Sequence, residues 1–316
     1  MHRFLLLILV PFFLYSHSYS TCEECVKFTN HMHNKYGFSK NYIKNLLEST
    51  THMQSVLNRY NGTTKSATDY SWSRYKRKIL IPQSVQLGKN FMKKYAKYLN
   101  IAEKTYGVEK EAITAFIRLE SKFGLYGGEY SVWDVLTTLA FNPNRKKRFF
   151  KSELEKALIL ARREHINPLD LRGSFAGAMG CVQQMPSIYL KYGVDLDNDG
   201  KRNPNSIADC IGSIAKFLKN NHWHNNQDTI IKPKVAGKNY KKLRSKVLSK
   251  YSVNTLKNYG ITPPYSSGRY YYIKLYNGKN HDIYLGDSNY RVITRYNHSK
   301  QYALSIGLYY KALKAK

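Results

Sequence analysis

Residues 112–124 read Ala112-Ile113-Thr114-Ala115-Phe116-Ile117-Arg118-Leu119-Glu120-Ser121-Lys122-Phe123-Gly124. As a helix, this stretch stacks Ile113, Phe116, Ile117 and Glu120 on one face, because residues three, four and seven apart are neighbours. The face is apolar except for Glu120, and Gly124 supplies a helix stop. A carboxylate held there is desolvated and lies near the negative end of the helix dipole; both effects disfavour its charge and raise its pKa. A general acid for work near neutral pH is prepared in this way. Taken alone, the stretch favours a plainer reading, in which Glu120 reaches solvent or pairs with Arg118 or Lys122, since Glu is rarely buried without a partner.

The chain has 316 residues, 42% of them hydrophobic, enough for a sizeable core in one large domain or two. Its 51 Lys+Arg against 21 Asp+Glu give a formal charge of +30, which attracts a polyanion: nucleic acid, an anionic membrane or an acidic cell-wall polymer. The N-terminus separates these. His2 and Arg3 precede an apolar run from Phe4 to Leu14, and Ser18-Tyr19-Ser20 offers small residues for cleavage after Ser20. This layout is that of a secretory signal peptide, too short for a membrane span. Export argues against nucleic acid as partner. Cys22 follows closely enough to raise lipid attachment as an alternative. Four cysteines in an exported chain suggest disulfides. Cys22 and Cys25 can close a local loop or serve redox or metal chemistry, and whether Cys181 meets Cys210 is open.

Segments 26–60 read as two short helices broken near Gly37, and residues 61–71 as a small polar linker. A basic-aromatic stretch runs from Trp72 to Lys78, and Pro82 opens a helix to about Tyr106. Helical patterns continue through 131–140 and 150–165, Pro186 starts a short helix ended by Gly193, and Ser206 with Asp209 resembles a capping box. Beyond His224 the chain turns Lys-rich. Alternation over Arg269–Tyr276, then Asn277-Gly278, His281–Leu285 and Tyr290–Tyr296, signals a hairpin or small sheet. Ala303–Leu313 closes the chain as a helix.

Gly173-Ser174-Phe175-Ala176-Gly177-Ala178-Met179-Gly180 is dense in small residues, suited to close backbone approach or tight helix packing. With Leu119–Gly124, Leu139-Ala140-Phe141-Asn142, Gln183, Met185-Pro186-Ser187 and Ile293–Ser299 it forms an ordered series. The series resembles the lytic murein transglycosylase B family over nearly everything after the signal peptide. The resemblance implies a mainly α (α+β) fold: a lysozyme-like helical catalytic core with an additional helical region and a small β region. The corresponding divisions are 1–20 signal peptide, 21–71 helical region and linker, 72–225 core, 226–290 basic segment and β region, and 291–316 a segment returning to the cleft.

It also implies cleavage of the peptidoglycan bond between N-acetylmuramic acid and N-acetylglucosamine, leaving a 1,6-anhydromuramyl end. Glu120 falls on the family's single acid/base. Tyr75, Arg145, Ser174, Gln183, Tyr296 and Asn297 align with residues lining the glycan cleft; Arg145 suits a carboxylate, Ser174 and Asn297 suit acetamido groups, and tyrosines suit sugar faces. Lys146 stands where the family has a second Arg, losing bidentate geometry, and Phe123 stands for a Trp. Cys181-Val182-Gln183-Gln184 departs from Tyr-Gly-Gln-Phe. A hydrolase needs a second carboxylate, and Glu129, Asp134, Glu153 and Glu155 lie in polar or mixed sequence. Intramolecular attack by the substrate needs none.

Asp195-Leu196-Asp197-Asn198-Asp199-Gly200-Lys201 opens an EF-hand-type loop over 195–206, with Asp195, Asp197, Asp199 and the Lys201 carbonyl as oxygen ligands. Its twelfth position is Ser206, so weak Ca²⁺ binding or a hydrogen-bonded loop is expected; Asp209 reaches in or caps the next helix. His222-Trp223-His224 shows no third ligand. No cofactor is required. The expected partner is the glycan strand, with other cell-wall enzymes as further partners, no nucleic acid, and a monomeric state. The expected location is periplasmic, or outer-membrane-associated with a lipid on Cys22. Two alternatives remain: a non-catalytic peptidoglycan-binding scaffold and a lysozyme-type muramidase.

Overall fold

A computed structural model describes residues 19–62 and 72–315; most of the expected signal segment and of the linker lies outside them. Three helices come first, α1 (Glu23–Tyr36), α2 (Lys40–Glu48) and α3 (Gln54–Asn61), where two were expected. The break at Gly37 is the expected one, with φ at 67°. The second break has a local cause. Ser49 and Thr50 hydroxyls return to the Leu46 carbonyl, competing with the helix. The following backbone is then pinned from outside, Thr51 N–H to Asp134 and Met53 N–H to Thr138.

Then follow α4 (Trp72–Ile79), α5 (Pro82–Lys94), α6 (Ala96–Tyr106) and α7 (Lys110–Ser121). The expected helix from Pro82 to Tyr106 is therefore two, parted at Tyr95, whose φ of -106° and ψ of 23° leave helical geometry. A short strand β1 (Tyr130–Ser131) leads into α8 (Val132–Phe141) and α9 (Lys147–Arg163), and β2 (Arg172–Gly173) returns to pair with β1. Helices α10 (Pro186–Tyr192) and α11 (Ile207–Asn220) complete the helical body. Serine hydroxyls accept the third backbone N–H at the starts of α2, α8 and α11, Ser206 capping Asp209 as its sequence spacing implied.

The β region holds β3 (Ile230–Ile231), β4 (Lys234–Val235), β5 (Lys250–Ser252), α12 (Val253–Asn258), β6 (Ile261–Thr262), β7 (Arg269–Tyr276) and β8 (His281–Gly286). β3, β8, β7 and β5 form an antiparallel sheet in that order, and β4 pairs with β6. The Asn277-Gly278 turn joins β7 to β8 with Tyr276 opposite His281. Leu256, Ile261, Tyr272 and Leu285 build a small core of its own beneath this sheet. The chain returns through α13 (Ser288–Tyr296) and α14 (Lys300–Lys314). Residues 290–296 are thus helical, not strand, because Tyr290, Ile293 and Thr294 are buried at helical spacing and Asp287 caps the start. α14 packs along α7, so the last helix of the chain lies against the one that carries Glu120.

One large core unites α1–α3 with the later helices, from Phe28 and Met32 to Phe116, Trp133 and Tyr309. Cys22–Cys25 and Cys181–Cys210 are disulfides. Tyr19 belongs to the core: it is buried, its hydroxyl meets His52 and Asn142, and its ring lies beside Phe141. Among the described residues no helix is long and apolar enough to cross a membrane.

Candidate active site

Glu120 occupies the last turn of α7. The helix ends two residues earlier than the expected stop at Gly124: Lys122 and Phe123 take left-handed conformations, φ 48° and 68°, and their N–H groups bond to Arg118 and Ile117 carbonyls. Neither neighbouring cation reaches Glu120. Arg118 donates to Ser84 at 3.0 Å, and the Lys122 ammonium sits 4.2 Å over the Tyr126 ring. The residue keeps partial exposure at the cleft floor, yet the packing of Phe116, Tyr296 and Tyr302 around it is dense. Desolvation pushes its carboxyl up to about 8, opposed only by a hydrogen bond from the Tyr302 hydroxyl, which donates to Oε1 at 2.5 Å. A carboxyl with that pKa is largely protonated at neutral pH and able to act as an acid.

Above it opens a cleft of about 480 Å³ lined by Glu120, Leu125–Tyr130, Ser174, Phe175 and Gln183. The β1–β2 pairing brings the two walls together. Gly128 lies so close to Gly173 that an added Cβ would come within 2.2 Å of its Cα, so only glycine fits there. Ser174 Oγ accepts Ala176 and Ala178 N–H groups, which fixes its loop. Gln183, at φ 48°, donates from Nε2 to the Gly127 and Gly180 carbonyls and ties one wall to the other. Tyr75 is half-buried and close enough for the Glu120 charge to raise its hydroxyl's pKa, after burial.

The other expected residues take different places. The Tyr296 ring is packed between Phe116 and Phe217, and its hydroxyl bonds to the Val182 carbonyl at 2.5 Å, bracing the loop that presents Gln183. Phe123 stacks on Phe91 at 5.2 Å. Arg145 and Lys146 are exposed just before α9, and Asn297 is exposed between α13 and α14. The departure at Cys181 is accommodated by the disulfide to Cys210, and Cys181 N–H bonds to the Pro204 carbonyl. Sequence reasoning missed Tyr302, Tyr126 and the cleft position of Glu129. Tyr302 gave one signal, its place at the capped start of a helix that follows the Ile293–Ser299 block. The 125–130 loop gave none.

The 195–206 loop meets the Cys181 loop through its Pro204 carbonyl. Asp195, Asp197 and Asp209 bring carboxylate oxygens within 4.8 Å of one another. Asp199 is not in this group; its Oδ1 accepts Lys201 N–H. Asp209 comes from α11 in place of the missing twelfth-position acid, held by Leu196 and Asn203 N–H groups. Burial, with the charges of Asp197 and Asp195, pushes its carboxyl up to about 6 against those hydrogen bonds. None of the three has a cationic partner among the described residues, so an oxygen-ligated divalent cation fits the cluster.

A family model described as "Transglycosylase SLT domain" matches residues 21–309. The chain belongs to this family. It is 35% identical over 290 residues to the membrane-bound lytic murein transglycosylase B of Escherichia coli (strain K12), covering 89% of this chain and 80% of that protein. The E. coli lytic transglycosylase SLT35 in complex with calcium superposes with a TM-score of 0.82 at 34% identity, over 91% of each chain. Soluble lytic transglycosylase SltB1 from Pseudomonas aeruginosa gives a TM-score of 0.84 at 30% identity, over 91% of this chain and 97% of that one. The transglycosylase SLT domain here has the expected mainly helical, lysozyme-like architecture with small antiparallel sheets.

Proposed function

We propose that this protein is a peptidoglycan lytic transglycosylase in which Glu120 is both acid and base. The carboxyl, protonated at neutral pH, gives its proton to the oxygen linking muramic acid to the next sugar, and the C1–O bond breaks. The resulting carboxylate then takes the proton of the same muramic residue's C6 hydroxyl as that oxygen bonds to C1, closing the 1,6-anhydro ring. The Tyr302 hydroxyl is placed to hold the carboxylate between these steps. One observation carries the reading: a desolvated carboxyl, raised to about 8, at the floor of a cleft and without an ion-pair partner among the described residues. The substrate is the glycan strand, taken up by a monomer.

A second reading is favoured by Glu129, an exposed carboxylate lining the same cleft. It is the group that would accept a proton from attacking water in an inverting hydrolysis, where the paired carboxylates stand about 6.5–9.5 Å apart. Mass spectrometry of digested sacculi separates the two: anhydromuramyl ends support transglycosylation, and reducing muramic acid ends support hydrolysis. Loss of all product in Glu120→Gln is expected under either reading.

The cation site is part of this proposal. Asp195, Asp197 and Asp209 would hold Ca²⁺, with the calcium complex of SLT35 as precedent, and the ion would brace Pro204 and the Cys181 loop without entering the chemistry. Export is likewise proposed from the N-terminal sequence, with one revision. Cleavage after Ser20 would strip Tyr19 from the core, whereas cleavage after Ser18, with Ser16 and Ser18 as the small residues, retains it. The mass of the mature protein distinguishes Tyr19 from Thr21 as its first residue.

A further inference from the structure

The two faces of the sheet formed by β3, β8, β7 and β5 are covered by different material. Ile273, Leu275 and Tyr284 turn into the large helical core. Tyr272, Ile283 and Leu285, at the alternate positions, meet Leu243, Leu256 and Ile261 from the 232–268 segment. That segment is therefore an outer layer, separated from the helical body by the sheet. Residues 232–268 contain nine Lys or Arg and no Asp or Glu. Lys238, Lys241, Lys242, Arg244 and Lys246 stand exposed along one strap of the layer, with Lys234 on β4 and Lys257 on α12. A segment so rich in like charge repels itself, and this one is pinned from beneath. Tyr272 and Tyr251 hydroxyls donate to the Tyr240 and Arg244 carbonyls, at 2.9 and 2.8 Å. Lys274 donates to the Lys241 and Leu243 carbonyls and Lys300 to that of Ser245, at 2.6, 3.0 and 2.7 Å. The strap's carbonyls are thus taken up inward, and two further ammonium groups add positive potential under it.

Val235, Leu248 and Tyr265 of the same layer are exposed as well. Apolar side chains among lysines suit a lipid interface, where the cations meet acidic headgroups and the apolar groups enter the acyl boundary. A glycan or nucleic-acid backbone would take the charge and leave Val235 and Leu248 in water. We propose that the 232–268 layer docks on a bilayer surface carrying acidic phospholipid headgroups, as a peripheral attachment. None of its residues lines the Glu120 cleft, so the contact is separate from the chemistry.

The test is sedimentation of the full chain with vesicles of phosphatidylcholine alone or mixed with phosphatidylglycerol. Binding is expected to the mixed vesicles only, and to fall as salt is raised. The quadruple variant Lys241→Ala, Lys242→Ala, Arg244→Ala, Lys246→Ala is expected to bind at least about a hundredfold more weakly, from about fivefold per cation. Lys93, Lys94, Lys97 and Lys104 on α5 and α6 are exposed too. Replacing those four by Ala removes the same net charge and is expected to weaken binding by less than about threefold, as distant charges are screened. Leu248→Ser with Tyr265→Ser is expected to weaken it about tenfold, from apolar area left in water. No binding of the parent to the mixed vesicles overturns the proposal. So does an equal loss in the two quadruple variants, which makes net charge the cause. Unchanged binding by Leu248→Ser with Tyr265→Ser overturns the choice of a bilayer in favour of another polyanion. Digestion of lipid-free sacculi by all variants is expected to stay at the parent's level, and a loss there with vesicle binding intact assigns the layer to the wall and overturns the proposal.

Discussion

Two glutamates, both on helices and both hydrogen-bonded by a tyrosine hydroxyl, are driven in opposite directions. Glu155 on α9 accepts from Tyr36, and Glu120 on α7 accepts from Tyr302. Burial raises both. Around Glu155, however, Lys156, His31 and Lys35 converge within 3.8 Å, and with Tyr36 they hold its carboxyl down to about 2. Around Glu120 no ion pair forms among the described residues, and its carboxyl rises to about 8. A tyrosine hydrogen bond therefore does not decide the outcome; the presence or absence of ion pairs does. In a chain of charge +30, Glu120 has no lysine or arginine ion pair among the described residues, and burial dominates its pKa. Arg118 and Lys122, its sequence neighbours, are drawn off by Ser84 and by Tyr126.

The largest expected effect breaks the comparison outright. Glu120→Gln should lower kcat on sacculi by at least about a thousandfold, within the range for loss of a general acid. Glu155→Gln should retain activity to within about twofold, since a surface ion-pair cluster contributes to stability and not to chemistry. Product release measured for the two variants side by side checks both.

Tyr302→Phe sharpens the comparison next. The hydroxyl favours the carboxylate, so its removal should move the alkaline limb of kcat/KM above its starting position near pH 8. At neutral pH kcat should fall about tenfold, because the carboxylate formed after the first proton transfer loses its hydrogen bond. A pH–rate profile reads both changes. A limb that moves down would show that the hydroxyl stabilises the acid form.

Stability should divide the pair by sign. Glu120 has a folded pKa raised above its unfolded value of 4.5. Wild type should therefore lose stability relative to Glu120→Gln as pH climbs from 4.5 to about 8, the loss levelling off above that. Glu155 has a depressed folded pKa, so its contribution is present above 4.5 and disappears as pH falls toward 2. At pH 7, Glu155→Gln should melt about 2–4 °C lower, the shift expected for about 1 kcal/mol. The gap should close in acid, as thermal melts across pH will reveal.

A last test, remote from the catalytic helix, asks whether a cation from solution does for Asp209 what lysines do for Glu155. Calcium at a hundred times its Kd should add about 2.7 kcal/mol to stability, and chelation should remove it. Asp209→Asn should abolish the calcium response in the same melts. An unchanged Tm on calcium addition to wild type would leave the 195–206 loop as a purely hydrogen-bonded element.

Local patterns were legible in the sequence. The Glu120 face, the capping box at Ser206, the Asn277-Gly278 hairpin and the closing helix all depend on residues within a few positions of each other, where spacing carries the physics. What sequence left hidden depends on distant contacts. The break after α2 exists because Asp134 and Thr138 bind its backbone, and residues 290–296 are helical because the core takes every third or fourth side chain. In the site, the ordered blocks located Glu120, Ser174 and Gln183, but they could not show that Tyr296 faces Val182 or that Tyr302 reaches Glu120 across 182 residues. Glu129 read as a polar loop residue until the β1–β2 pairing carried it to the cleft. Asp209 could be read as cap or ligand; its side chain binds loop N–H groups while its own N–H takes the Ser206 cap.

The central claim is that Glu120 waits as a protonated acid at neutral pH. Glutamate labelled with ¹³C at its side-chain carboxyl, observed by NMR in wild type and in Glu120→Gln, isolates that one resonance. A titration midpoint near 8 is predicted. A midpoint at or below 4.5, the ordinary value, would contradict the account.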